Sequence, residues 1–214
     1  MSLKKCFAVL ATAMLTASSV LANVVVIQPA AIVDSTFTPF EGVPGNLIDQ
    51  SGLSAPYLTG VTLYEDYILN PPVPTHPSFT SSTAFRTSDE LGHIDFSLGR
   101  KFDLTNFALW NAPAYFGIGG FDLLVSLDQS FSLPVNVGSF NPADPSTPSA
   151  QSFQFKETPG AFVRLLATSD FGRPGINLGE VAFGGTGTGV PEPTTLLLLG
   201  LGLAGLGFGR KRLH

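Results

Sequence analysis

Alternation of apolar and polar positions is clearest in the middle of the chain. Ile94, Phe96 and Leu98 alternate with Asp95 and Ser97, which predicts a strand with one apolar and one wet face. Phe107 and Leu109 point one way and Ala108 and Trp110 the other. Phe121, Leu123, Val125 and Leu127 alternate with Asp122, Leu124 and Ser126. Together these segments predict three successive half-buried strands. The β-branched run at 24–27 and the segment at 60–64 predict two earlier strands, and Phe153 with Phe155, residues 162–166 and residues 181–183 predict later ones. Prolines at 71, 72, 74 and 77, and again at 142, 145 and 148, mark extended surface connections, because proline brings no donor to a strand ladder. Nothing before residue 194 repeats at the helical period. The pattern therefore predicts an all-β fold, a jelly-roll β-sandwich of about eight strands occupying residues 23–183.

The two ends follow a different logic. Lys4 and Lys5 precede an apolar stretch from Cys6 to Leu21, and Val20-Leu21-Ala22 offers a cleavage site after Ala22. Residues 1–22 thus read as a signal peptide, handled by the Sec translocon and signal peptidase. At the other end stand Val190, Pro191, Glu192 and Pro193, then an uncharged apolar run over 194–209, then Arg210, Lys211 and Arg212. A rigid polar motif, a greasy segment and a basic stop describe a sorting and anchoring device over 190–214, with a C-terminal transmembrane helix at 194–209. Sixteen helical residues span about 24 Å, short of a ~30 Å hydrocarbon core, which suits a transient anchor; a permanent one is the alternative. Residues 184–189, all Gly and Thr, read as a flexible linker between the sandwich and this tail.

Charge narrows the choice of partners. Between Asn23 and Gly189 six basic residues face fifteen acidic ones, a net charge of about −9 that repels phosphate backbones and excludes nucleic acid as a partner. Cys6 is the one cysteine and lies in the signal peptide, so the exported part has neither a disulfide nor a thiolate metal site.

A catalytic reading finds little to stand on. His76, His93 and His214 are isolated in sequence, no zinc-binding histidine pair or Gly-x-Ser-x-Gly elbow occurs, and Glu65-Asp66 and Asp89-Glu90 read as solvated turn acids. Glycan binding asks for aromatic faces and a few fixed polar groups. Tyr57, Tyr64, Trp110 and Tyr115 supply candidate stacking surfaces, and Arg86 and Asn111 candidate hydroxyl partners. A flat ice-matching face would need repeated Thr-x-Thr rows, and the body has no such repeat.

Five blocks in the body carry a resemblance: 46–49 (Asn-Leu-Ile-Asp), 93–99, 121–128, 162–165 and 178–183. In that order they are similar to the discoidin-like, or coagulation factor 5/8 type C, domains of the galactose-binding-like fold. The tryptophan that family usually carries between the first loop and the strand at Ile94 is missing, as is its frequent disulfide. The resemblance implies a structural Ca²⁺ bound by Asp49 and Glu180. Likewise, Pro191-Glu192-Pro193 with its span and basic stop resembles the PEP-CTERM sorting signal, also catalogued as the ice-binding protein C-terminal domain. That resemblance implies recognition by an exosortase in an exopolysaccharide-producing Gram-negative bacterium, with passage through the inner membrane to the cell surface or extracellular matrix. The expectation is an exported non-catalytic surface protein that binds extracellular polysaccharide. A purely structural surface protein and a secreted hydrolase are the alternatives.

Overall fold

A computed structural model of the protein describes residues 23–187. Nine strands follow in order: β1 (Val25–Ile27), β2 (Ala31–Ser35), β3 (Pro39–Glu41), β4 (Phe85–Thr87), β5 (Gly92–Asn111), β6 (Ile118–Ser126), β7 (Val135–Phe140), β8 (Gln151–Asp170) and β9 (Ile176–Gly187). They form one hydrogen-bonded sheet in the order β3-β4-β9-β5-β8-β6-β7, with β1 added on β9 and β2 on β5. All pairings are antiparallel. The sheet closes on itself as a jelly-roll β-sandwich: Phe107 of β5 meets Phe121 of β6, a strand with which it does not pair, at 5.4 Å between ring centroids. Phe107 also meets Phe183 at 5.3 Å, and Phe121 meets Phe153 at 5.1 Å. Such tilted ring packing fills the interior between the layers.

Alternation decides what lies on each face of β5. Phe107 and Leu109 enter the main core, while Ala108 and Trp110 enter a second one with Val26, Tyr57, Tyr64, Ile68 and Ala182. The segment expected to be half-buried is therefore buried on both sides, because the loops from 53 to 69 fold over its outer face. The separate strands expected at 93–99 and 107–110 are one 20-residue strand, as are those at 153–155 and 162–166. Register shifts between Ser97 and Phe102 and between Leu104 and Asn106 bend β5 without ending it.

Two expectations are corrected. Residues 60–64 form a turn rather than a strand, Leu63 alone bridging to Val25, and Tyr64 leads into a π-type turn at Glu65–Leu69. Residues 184–187 of the expected linker belong to β9: Gly184 and Gly185 pair with β1 on one side and β5 on the other. The absence of side chains is what admits them to the packed sheet, since a Cβ on Gly184 would lie 2.7 Å from Tyr64 Cδ2 and 2.8 Å from Asn106 Cβ. The signal peptide, the sorting motif, the apolar run and the basic stop lie outside the described residues. Among the described residues no helix is long and apolar enough to cross a membrane.

Candidate functional site

Four of the six residues singled out for glycan contact are enclosed. Trp110 and Asn111 are fully buried, Tyr57 is 4% exposed and Tyr64 2%. The polar groups of Trp110, Tyr64 and Asn111 are used inside the domain, while the buried Tyr57 hydroxyl has no partner. Trp110 Nε1–H donates to the carbonyl of Pro74 at 2.9 Å, and the Tyr64 hydroxyl meets Ser152 Oγ at 2.9 Å. The Asn111 side chain accepts from the Ile118 N–H and donates to the Ile118 carbonyl, both at 2.9 Å, which pins the connection between β5 and β6. Trp110, Tyr57 and Tyr64 are thus second-core residues and offer no face to a sugar, a correction that follows from both faces of β5 being covered.

Arg86 and Tyr115 remain at the surface, and the fold surrounds them with residues the sequence did not single out. In the connection pinned by Asn111, Ala114 and Tyr115 both have left-handed backbones, φ +61° and +66°. Consecutive non-glycine residues in this region store strain that the surroundings must hold, a feature that concentrates at ligand sites. Here the Tyr115 N–H donates to Asp144 Oδ1 at 3.1 Å, and the Asn177 N–H donates to the Phe116 carbonyl at 2.7 Å. As a result Tyr115 is left 54% exposed, edge-on to Phe171 at 6.4 Å. Phe116 takes two guanidinium groups over its ring, Arg86 at 5.7 Å and Arg173 at 4.7 Å, and Arg86 also lies 5.1 Å from the exposed ring of Phe40. Glu41 on β3 reaches Arg86 at 3.7 Å. Only the turn residues flanking Arg173, Gly172, Pro174 and Gly175, hinted in sequence that its side chain would be presented outward.

Asp49 and Glu180, expected from opposite ends of the chain, are brought to one loop. Glu180 is fully buried beside the loop at 49–52, and its Oε2 accepts the Gln50 N–H at 2.9 Å. Its Oε1 has no partner, and neither has the buried Ser51 hydroxyl. Asp49 is exposed and accepts the Ser51 N–H at 2.8 Å. Burial above all, with the Asp49 charge adding to it and the Gln50 N–H opposing, pushes the Glu180 carboxyl up to about 9. His76 packs on this loop, with Nε2 3.0 Å from the Ser51 carbonyl; burial lowers its pKa. A Cβ on Gly52 would lie 2.6 Å from that ring, so glycine is what lets the loop close over it. Two carboxylates, a free hydroxyl and a tight loop make an oxygen-rich donor set of the kind a hard dication takes.

A second set of acids, Asp34 and Asp95 with His93, places ligand atoms within 4.8 Å of one another. Arg164 closes it: its Nε and Nη2 donate to both oxygens of Asp95 at 2.7 Å, and Phe131 lies 4.6 Å from that guanidinium. A bidentate pair of this kind already neutralises the buried carboxylate.

The comparisons with known proteins bear on both ends of the account. Residues 189–212 match the PEP-CTERM protein-sorting motif, and the chain carries that motif at its C-terminus. No curated protein matches the chain. Among solved structures it is similar to a fragment of a chitobiase-like protein from Bacteroides thetaiotaomicron at 14% identity and TM-score 0.53, over 75% of this chain and 90% of that one. The C-terminal domain of a chitobiase from Bacteroides fragilis gives 12% and 0.50, over 74% and 95%. A family 32 module, CBM32-3, of a family 31 glycoside hydrolase from Clostridium perfringens gives 11% and 0.50, over 72% and 90%. At such identities the likeness shows the fold alone, the jelly-roll β-sandwich.

Proposed function

We propose that this chain is an exported, non-catalytic surface protein whose sandwich binds extracellular polysaccharide at the end built by Arg86 and Tyr115. An exosortase recognises its tail and delivers it to the cell surface or the exopolysaccharide matrix of a Gram-negative bacterium. The observation that carries the binding role is the exposed aromatic and guanidinium cluster: Tyr115 is held outward by a strained, doubly anchored loop, an arrangement that has no use in packing the core. Aromatic rings stack on the C–H faces of sugars, and guanidinium groups donate to their oxygens. The fold shared with a module named for carbohydrate binding supports the same reading. A glycan array probed with the full chain in detergent tests it. Binding to at least one polysaccharide, lost on Tyr115→Ala, is expected; binding to none would leave a purely structural surface protein.

A structural Ca²⁺ belongs to this reading. Asp49, Ser51 and Glu180 would hold it, and the unpartnered Glu180 Oε1 and Ser51 hydroxyl are what fit the ion. When bound, it supplies positive charge that keeps Glu180 ionised in its buried place. The loop at 49–52 would then be fixed against β9 by an ion rather than by the single Gln50 N–H. Chelation should lower the melting temperature by several degrees, as loss of any ligand specific to the native state does. An unchanged melting temperature would remove the ion from the account.

A further inference from the structure

We infer that the ligand taken at this end is an acidic polysaccharide, one bearing carboxylates along its chain. The inference rests on the glycan-binding reading above and names the class of glycan. It starts from where the domain's few cations are placed. The body holds six basic residues against fifteen acidic ones, so its overall field disfavours an anionic ligand. Two of those six, Arg86 and Arg173, are nevertheless gathered over one ring, Phe116, which leaves their guanidinium carbons no more than about 10 Å apart.

The acids nearby are committed elsewhere. Asp144 accepts the Tyr115 N–H at 3.1 Å, and Asp170 accepts the Gly172 N–H at 2.7 Å, each fixing the backbone of a loop. Among the described residues, Glu41 is the one carboxylate paired with this cluster, at 3.7 Å from Arg86, with both side chains near 40% exposed or more. Among the described residues no carboxylate pairs with Arg173. It lies exposed on the turn after β8, ordered by stacking on Phe116 rather than by an ion pair. A guanidinium lying over a ring keeps N–H donors at its edge for other partners. That edge matches a carboxylate through two parallel hydrogen bonds.

Tyr115 and Phe171 stand beside these donors and supply an apolar surface for a sugar ring. A neutral glycan would engage the rings and leave Arg173 unmatched. An acidic chain would engage both, one sugar on Tyr115 with uronate carboxylates reaching Arg173 and, by displacing Glu41, Arg86. Recognition then combines stacking, which salt leaves unchanged, with ion pairing, which salt screens.

Affinity electrophoresis of the full chain in detergent tests this, through gels containing alginate as the polyuronate, a neutral galactan, or polyglutamate as a non-sugar polyanion. Alginate should retard the chain, polyglutamate should not, and galactan should do so weakly. Arg173→Ala should weaken retardation by alginate about tenfold or more, Arg173→Lys should restore part of it, and half-molar salt should reduce it. Tyr115→Ala should weaken retardation in alginate and galactan alike, and circular dichroism of each variant checks that it is folded. Equal retardation by galactan with no effect of Arg173→Ala would overturn the acidic class and leave glycan binding standing. Equal retardation by polyglutamate would reduce the site to charge attraction alone, and retardation by no polysaccharide would remove the glycan-binding reading itself.

Discussion

Glu180 ties folding to pH and, on the proposed function, to a bound ion. In the metal-free domain its raised pKa means that the native state holds a proton the unfolded chain releases near 4.5. The unfolded state binds fewer protons between about 4.5 and 9, so stability falls as pH rises through that window. In the presence of chelator, melting temperatures should therefore decline from pH 5 to pH 9. Glu180→Gln should flatten that decline and also abolish any response to calcium; a variant that still responds would place the ion elsewhere. Asp128 has the opposite sign. The hydroxyls of Ser130 and Ser132 donate to its carboxylate and hold its pKa at about 2, so the stability it contributes is present above the ordinary carboxylate range and is lost as pH falls toward 2. Asp128→Ala should make the domain less sensitive to acid over that interval, measured by urea midpoints at pH 5 and pH 2.5. Trp110 and Tyr115 separate packing from recognition. Trp110→Ala should cost about 3–5 kcal/mol of stability, as the loss of a large buried aromatic does, while Tyr115→Ala should affect glycan binding and leave the urea midpoint nearly unchanged.

At the scale of elements, β9 carries more than its composition suggests. Gly184 and Gly185 sit between β1 and β5 because nothing larger fits, so Gly184→Val should lower stability by about 1–3 kcal/mol through overpacking, read from the urea midpoint. Had residues 184–187 been a free linker, that substitution would be neutral. The period-two pattern made β5 and β6 legible, because Ile94, Phe96, Leu98, Phe121 and Leu123 face a core in strict alternation. It could not show that the strands at 93–99 and 107–110 are one, since a bulge leaves no mark in hydrophobicity. Nor could it show β2, β3 and β7, which lie at the margins of the sheet and are largely half-buried or exposed. The candidate site was legible only in part for a related reason. Asp49 and Glu180 are brought to one loop, but Trp110 was chosen by residue type, and its alternation with Leu109 along a strand covered on both faces was the better guide. Phe116 comes from the connection between β5 and β6, Phe171 and Arg173 come from the turn after β8, and only tertiary structure puts them beside Arg86.

For the molecule as a whole, route and activity are written in different places. The last strand runs to at least Gly187, the last described residue, and the matched sorting motif begins at residue 189, so the folded domain stands next to its address. On the proposed function this closeness would hold the sandwich at the envelope during sorting, where a polysaccharide-binding end would have something to bind. The most direct test of the central claim is fractionation of a Gram-negative bacterium that carries an exosortase and expresses the chain with and without Pro191-Glu192-Pro193 replaced by alanines. The account predicts that the unaltered chain reaches the surface or matrix fraction shortened at its C-terminus, while the substituted chain stays full-length in the inner membrane. Equal delivery of both chains to the surface would contradict it.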